Sequence, residues 1–253
     1  MKPAGVYVDS SDQSPDCAPL AAILYDAGSC PGIEDLASAA GQGGGFAVTH
    51  RPPPEDGWAE VLRDGLTFDV RGLAGGPANL SCRVEHRLGL QSAELTGLSV
   101  LTVSPGPHLA GAEHLLPVIR VVSALLIALS RIGDARAICW NPTKCAVSPA
   151  LFERAVTPWL EGGPFPALAL TALVPLADGS LSSEGLKFLT GQEFTLTDGQ
   201  GRGREHLSRV AVRLVDWLVA HGPVTGTQEA VLAGTGVVVV EAETGDRIVA
   251  RCH

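Results

Sequence analysis

The chain has 253 residues, of which 45% are hydrophobic and 18% charged, so it can bury a full core and is not a disordered polymer. Its net charge of −9, from 18 basic and 27 acidic residues, argues against a general nucleic-acid binder, which needs a basic footprint. The 30 glycines and 18 prolines imply many turns and short elements.

At the N-terminus, Met1 to Gly5 leads into only a short apolar run. Asp9, Asp12 and Asp16 follow, so no secretory signal is read and a cytoplasmic location is expected. Leu20 to Tyr25 predicts a strand. Pro31, with Glu34 and Asp35 after it, opens a helix whose Ile33, Leu36, Ala37 and Ala40 share a face. Gly41 to Gly45 ends that helix; it follows a helix and lacks the Lys-Ser or Lys-Thr of a phosphate cradle, so it reads as a connection. Phe46 to Thr49 is a short strand, and the spacing of Trp58, Val61 and Leu62 predicts a second helix closed by Gly65.

Period-2 alternation then marks two strands. Leu66, Phe68 and Val70 form one apolar row. Ala78, Leu80, Cys82, Val84, His86 and Leu88 form a longer one, and antiparallel pairing of the two is expected. His86 on the apolar row reads as a buried, hydrogen-bonded histidine. Leu98 to Val103 is a strand. A long helix is expected from about Ala110 to Ile132, with Pro117 as a kink. Its apolar core from Leu115 to Leu129 contains Arg120 and is too short to span a bilayer. Ala137 to Trp140 is a short strand, and Ser148-Pro149 starts a helix through Trp159. Ala167 to Val174 and Phe194 to Thr197 read as strands. Leu207, Val210, Ala211, Leu214, Val215 and Leu218 make the clearest helical face, ended by Gly222-Pro223. Gly236 to Glu241 and Arg247 to Cys252 predict a closing hairpin.

These elements predict an α+β protein with mixed, largely antiparallel sheets packed with helices. Each half starts as strand, helix, strand, helix, strand. One composite domain over residues 1–253 is expected, with lobes at 1–95 and 96–253. The charge is sided: residues 1–130 carry 7 basic and 14 acidic residues, and residues 131–253 carry 11 and 13.

No motif dictates a chemistry. His108 and His114 are six apart and cannot share a helical face as paired ligands would, and neither a metal nor another cofactor is expected. Cys139 and Cys145 bracket Trp140 to Lys144, and a thiolate beside Lys144 would gain reactivity, but no His or Asp partner can be assigned. The loop Gly199 to Arg204 precedes a helix, where amides and two arginines would suit an anion, although solvated charges account for it as well. The candidate ligand-binding residues are therefore Trp140, Asn141, Lys144, Cys145, Glu193, Arg202 and Arg204, and no catalytic residue is assigned.

The segment Gly185-Leu186-Lys187-Phe188-Leu189-Thr190-Gly191-Gln192-Glu193-Phe194 resembles the Gly-Leu…Phe-Gly-x-Glu signature of a bacterial family known only as a domain of unknown function. The order of elements is similar over about residues 66–241: a strand ending in an aromatic at Ile138-Cys139-Trp140, a Ser-Pro…Phe helix from Ser148 to Phe152, and a turn at His221-Gly222-Pro223. Leu189-Thr190 adds a residue inside the signature. The family has no established activity, so the resemblance implies no catalytic residues. Read physically, Glu193 is a partly buried carboxylate that satisfies loop amides at a strand start.

Two functions remain. One is a non-catalytic interaction module, adaptor- or immunity-like, whose acidic surface binds a basic protein; neither nucleic acid nor membrane is an expected partner. The other is a ligand-binding protein or enzyme with a pocket between the lobes.

Overall fold

A computed structural model describes residues 19–77, 80–91, 95–199 and 201–252. The architecture is α+β, with two mixed, mostly antiparallel sheets and, among the described residues, six α-helices. The first sheet contains β1 (Ala21–Tyr25), β2 (Ala47–His50), β3 (Trp58–Arg63), β4 (Leu66–Arg71), β5 (His86–Leu88), β6 (Ser99–Pro105), β7 (Ala135–Trp140) and β8 (Cys145–Val147). Their spatial order is β2-β3-β4-β6-β1-β7-β8-β5, and only β5 and β8 run parallel. The second sheet contains β9 (Ala172–Pro175), β10 (Leu181–Glu184), β11 (Glu193–Asp198), β12 (Thr227–Leu232), β13 (Gly236–Thr244) and β14 (Arg247–Cys252). Its order is β12-β13-β14-β11-β10-β9, with β11 and β14 parallel.

The helices are α1 (Ile33–Gly41), α2 (Leu116–Ser130), α3 (Pro149–Leu160), α4 (Ala167–Leu170), α5 (Leu186–Thr190) and α6 (Arg204–His221). One contiguous core runs from Ile23, Tyr25 and Trp140 in the first sheet, through Leu125, Phe152 and Leu170, to Leu214 and Phe194 in the second sheet. The expected face of α6 is the one buried, from Leu207 to Leu218. Arg120 interrupts the apolar face of α2 for a reason: its guanidinium donates to the carbonyls of Trp159 and Leu160, both at 2.7 Å, and so caps α3. None of the helices among the described residues is long and apolar enough to cross a membrane.

Five expectations are corrected. Trp58, Val61 and Leu62 lie on strand β3, not on a helix. Val61 pairs with Phe68 and Ala59 with Val70, and Asp64-Gly65, both at positive φ (48° and 81°), turn the hairpin. Asp-Gly between two alternating runs is the stronger signal, because its left-handed pair matches strand twist. The first half thus begins as a strand, a helix and four strands in succession, β2 to β5, and the expected strand, helix, strand, helix, strand order does not hold.

The long helix starts at Leu116, not Ala110. Pro117 lies in its first turn, where the missing N–H costs nothing, so it opens the helix instead of kinking it. Ala167 to Val174 splits into the single turn α4 and strand β9, because Pro166 initiates a helical turn. Finally, the row from Ala78 to Leu88 does not pair with Leu66 to Val70. Ala78 and Asn79 lie outside the described residues. From Leu80 to Leu90 the burial does alternate, but only His86–Leu88 joins a ladder, parallel to β8.

That extended segment still has a packing role. Cys82, Val84 and Leu90, with Leu95 and Leu98 ahead of β6, pack over Ala22, Leu24, Ala137, Cys139 and Ala146 and beside Val100 of β6, on the face of the first sheet away from the main core. The centre of the first sheet, at β6, β1, β7 and β8, is therefore apolar and covered on both faces, whereas β3 and β4 carry the half-exposed Trp58, Glu60, Thr67, Asp69 and Arg71 on the outer one.

Candidate functional site

Five of the seven sequence-derived candidates lie close to one seam between the sheets. Trp140 ends β7, is fully buried, and meets the Phe188 ring edge-on at 6.1 Å. Asn141 to Thr143 then form a single 3-10 turn that leaves Lys144 in a left-handed conformation at φ 50°. Asn141 is a structural clamp: its side-chain amide donates to the Pro19 carbonyl at 2.8 Å, its backbone amide to the Leu20 carbonyl at 3.1 Å, and its Oδ1 accepts from the Cys82 thiol at 3.6 Å. Cys145 is buried, and that burial pushes its thiol up to about 11, away from nucleophilic use. The turn meets the second sheet at Gly185, where a Cβ would lie 2.3 Å from Thr143 Cγ2; only glycine permits this approach.

Glu193 heads β11 on the second-sheet side of the seam. Arg202 and Arg204 are elsewhere, on the exposed loop after β11 and the first position of α6. The five steps of strand from Glu193 to Asp198 set them roughly 17 Å away along the sheet. That loop is tied by the Gly203 amide donating to Asp198 at 2.9 Å. A shallow hollow of about 470 Å³ is bordered by His114, Lys187–Gly191, Val219, Gly222 and Pro223. Another of about 320 Å³ is bordered by Gly28, Cys30, Gly72–Pro77, Leu80 and Leu98–Val100. None of the seven candidates lines either of them.

The Gly-Leu…Gln-Glu segment has a structural explanation. Gly185 and Gly191, both left-handed, bracket the single turn α5. Gln192 is buried and uses both ends of its amide on one residue: Nε2 donates to the Val224 carbonyl at 3.0 Å, and Oε1 accepts from the Val224 amide at 2.7 Å. The Glu193 carboxylate accepts from the Lys187 amide at 2.9 Å and from the Ser183 hydroxyl, whose oxygen in turn accepts from the Phe194 amide at 2.9 Å. The Glu193 amide donates to the Asp246 carbonyl at 2.9 Å. Ten residues thus tie α5, the start of β11, the exit of α6 and the β13–β14 turn together. Glu193 satisfies a loop amide at the start of its strand, the contact expected of a partly buried carboxylate there.

Beside this knot lies a polar cluster that sequence reasoning did not assemble. His86 is half-buried and not fully so; its Nε2 lies 2.7 Å from Glu184 Oε2 across the seam. Glu85, next to it, pairs with Lys144 Nζ at 3.2 Å and with Arg83. Partial desolvation pushes the Glu85 carboxyl up, but Lys144 and Arg83 together hold it below its ordinary value. One ligand atom from each of Glu85, His86 and Glu184 lies within 4.8 Å of the other two. The 98 residues separating His86 from Glu184 explain why no local motif could reveal the pair.

The second feature is the outer face of the second sheet. The inward residues Ala230, Leu232, Val238, Val240, Ile248, Ala250, Phe194 and Leu196 are buried against α6 and its neighbours. The alternate residues form registered rows on the other side. Thr227, Glu241, Val249, Thr195, Ser182 and Val174 make one row across all six strands. Glu229, Val239, Arg251 and Thr197 make a second, and Val231 opposes Val237 in a third. All twelve are exposed or half-exposed, with Val231 at 73%. The sequence pattern of β13 and β14 contained this alternation, but β12 was not foreseen, so the breadth of the face was not legible.

Compared with protein-family models, curated proteins and solved structures, the chain finds no match.

Proposed function

We propose that the chain is a non-catalytic protein-interaction module, adaptor- or immunity-like, that docks a protein partner on the outer face of its second sheet. The observation that carries this reading is the face itself. Val174, Val231, Val237, Val239 and Val249 lie on it with four hydroxyl residues, Ser182, Thr195, Thr197 and Thr227, and all five valines are exposed or half-exposed. Covering a valine contributes about 1 kcal/mol when half of its surface is still exposed, so a partner gains most at the opposed pair Val231–Val237. Glu229 and Glu241 flank the valines, and Arg251 is paired with Glu241 at 3.2 Å. The net charge of −9 adds attraction for a basic rim on the partner.

The alternative, a small-molecule binder or enzyme with a pocket between the lobes, has less support. Trp140 and Cys145 are core residues, Asn141 and Glu193 are spent on backbone groups, and Arg202 and Arg204 are at the far end of β11.

The experiment is capture of a stoichiometric partner by the native chain, followed by hydrogen exchange on the complex. Protection is expected on β12, β13 and β14. The double substitution Val237→Lys, Val239→Lys is expected to abolish capture while the circular dichroism spectrum stays unchanged. Capture that survives the substitution, or a chain that captures nothing, removes the reading.

A further inference from the structure

We propose that Glu85, His86 and Glu184 form a site for a divalent transition-metal cation of the zinc class, bridging the first and second sheets. The donor set is one imidazole nitrogen and two carboxylate oxygens, which suits a borderline cation better than a soft one such as copper(I). Three protein donors leave a fourth tetrahedral position for water.

The donors are held by backbone and not by loose loops. The amides of Glu85 and His86 both donate to the Lys144 carbonyl, at 2.8 and 3.1 Å, and His86 begins the paired strand β5. Glu184 ends β10, paired with Ala172, and the glycine after it packs against Thr143. The strands that carry the donors belong to different sheets, so an ion here would clip the sheets together at the edge strand β5.

The distances are close to what an ion needs. Donors about 2.1 Å from a tetrahedral ion lie about 3.4 Å from one another. His86 Nε2 and Glu184 Oε2, now at 2.7 Å, must separate slightly, and a Glu85 carboxylate oxygen already lies within 4.8 Å of both. The opposing charge is Lys144 Nζ, which with Arg83 occupies Glu85. Binding therefore displaces an ammonium group from one ligand, and weakening that competitor strengthens the site.

The test is zinc titration of the full chain by calorimetry, with thermal unfolding in parallel. One zinc per chain is expected, with a raised Tm, because a ligand that binds only the folded state stabilises it. His86→Ala and the isosteric Glu184→Gln should each weaken zinc by about tenfold or more and erase the Tm rise. Lys144→Ala should tighten it. Cobalt(II) should give a spectrum without a sulfur charge-transfer band, since no thiol takes part. Zinc binding that Glu184→Gln leaves unchanged, a sulfur band with cobalt, or no heat and no Tm shift with zinc would each overturn the proposal. Glu184→Gln keeps the side-chain volume, so the answer stands even where His86→Ala misfolds.

Discussion

The two sheets draw on the same branched and aromatic residues but are finished differently. The first is sealed at its centre: α1, α2 and α3 lie with its core face, and Cys82, Val84, Leu90, Leu95 and Leu98 cover the other at β1, β7 and β8. Its central strand β1 is buried at all five positions. The second is half-finished, with α6 on one face and a row of valines, threonines and charges on the other. A strand buried on both faces serves only stability, whereas a strand with one open face keeps a surface for something else. The difference separates a region buried on both sides from one whose outer face is open to solvent.

The largest break in that contrast should come from Trp140. It is the largest fully buried side chain and contacts Phe188 of the second sheet's turn. Trp140→Ala should cost about 3–5 kcal/mol in urea unfolding. A cost as small as that of a surface residue would mean that the first sheet is not the stabilising half.

Gln192 comes next. Its amide satisfies both backbone groups of Val224 inside the core. Gln192→Leu keeps the volume but strands an N–H and a C=O, and should cost about 2–3 kcal/mol by the same measurement. A neutral result would show that α6 and β12 are held together without the Gly-Leu…Gln-Glu knot.

A smaller effect is expected at alkaline pH, and it belongs to the sealed sheet. Burial raises Cys145 to about 11 from an ordinary 9.0. The unfolded thiol ionises first, so the native state binds more protons between those values. Stability is fully present below the ordinary value and falls as pH rises from about 9 to about 11. Cys145→Ala should flatten that decline in unfolding curves taken across this range. In alkylation at pH 8, Cys82 should react before Cys139 and Cys145. The hydrogen bond with Cys139 lowers Cys82 and raises Cys139 in turn, with burial adding to the latter.

How far the sequence carried these conclusions depended on whether the signal was local. The face of α6 and the β13–β14 hairpin were legible because periodicity and turn chemistry act within twenty residues. β3 was misread because Trp58, Val61 and Leu62 match a helical spacing by chance, while the decisive signal was the Asp64-Gly65 turn. β12 was missed because Thr227-Gln228-Glu229 places three polar residues at its start, which is how an exposed edge strand reads. In the candidate site, Trp140 to Cys145 and Glu193 do lie at one seam, but as scaffold. Glu184 could not be nominated, because its value comes from His86 on another sheet. Arg202 and Arg204 looked like site residues because a glycine-rich loop before a helix resembles an anion cradle, yet one strand length separates them from the seam.

The smallest expected stability effect is the one that tests the open face. Val237 is 36% exposed and Val239 is half-buried, both on the outer side of β13. Lysine at either position extends past its neighbours into solvent and keeps its stem on the sheet. Val237→Lys, Val239→Lys should therefore change the unfolding free energy by no more than about 0.5 kcal/mol per site. The same two substitutions place positive charge where a basic-rimmed partner would sit, next to Glu229 and Glu241, and remove the apolar contact at its centre. Loss of binding with stability intact is the signature of a recognition surface. A destabilisation close to that of Trp140→Ala would instead show that the valines carry the fold, and the second sheet would then be as closed as the first.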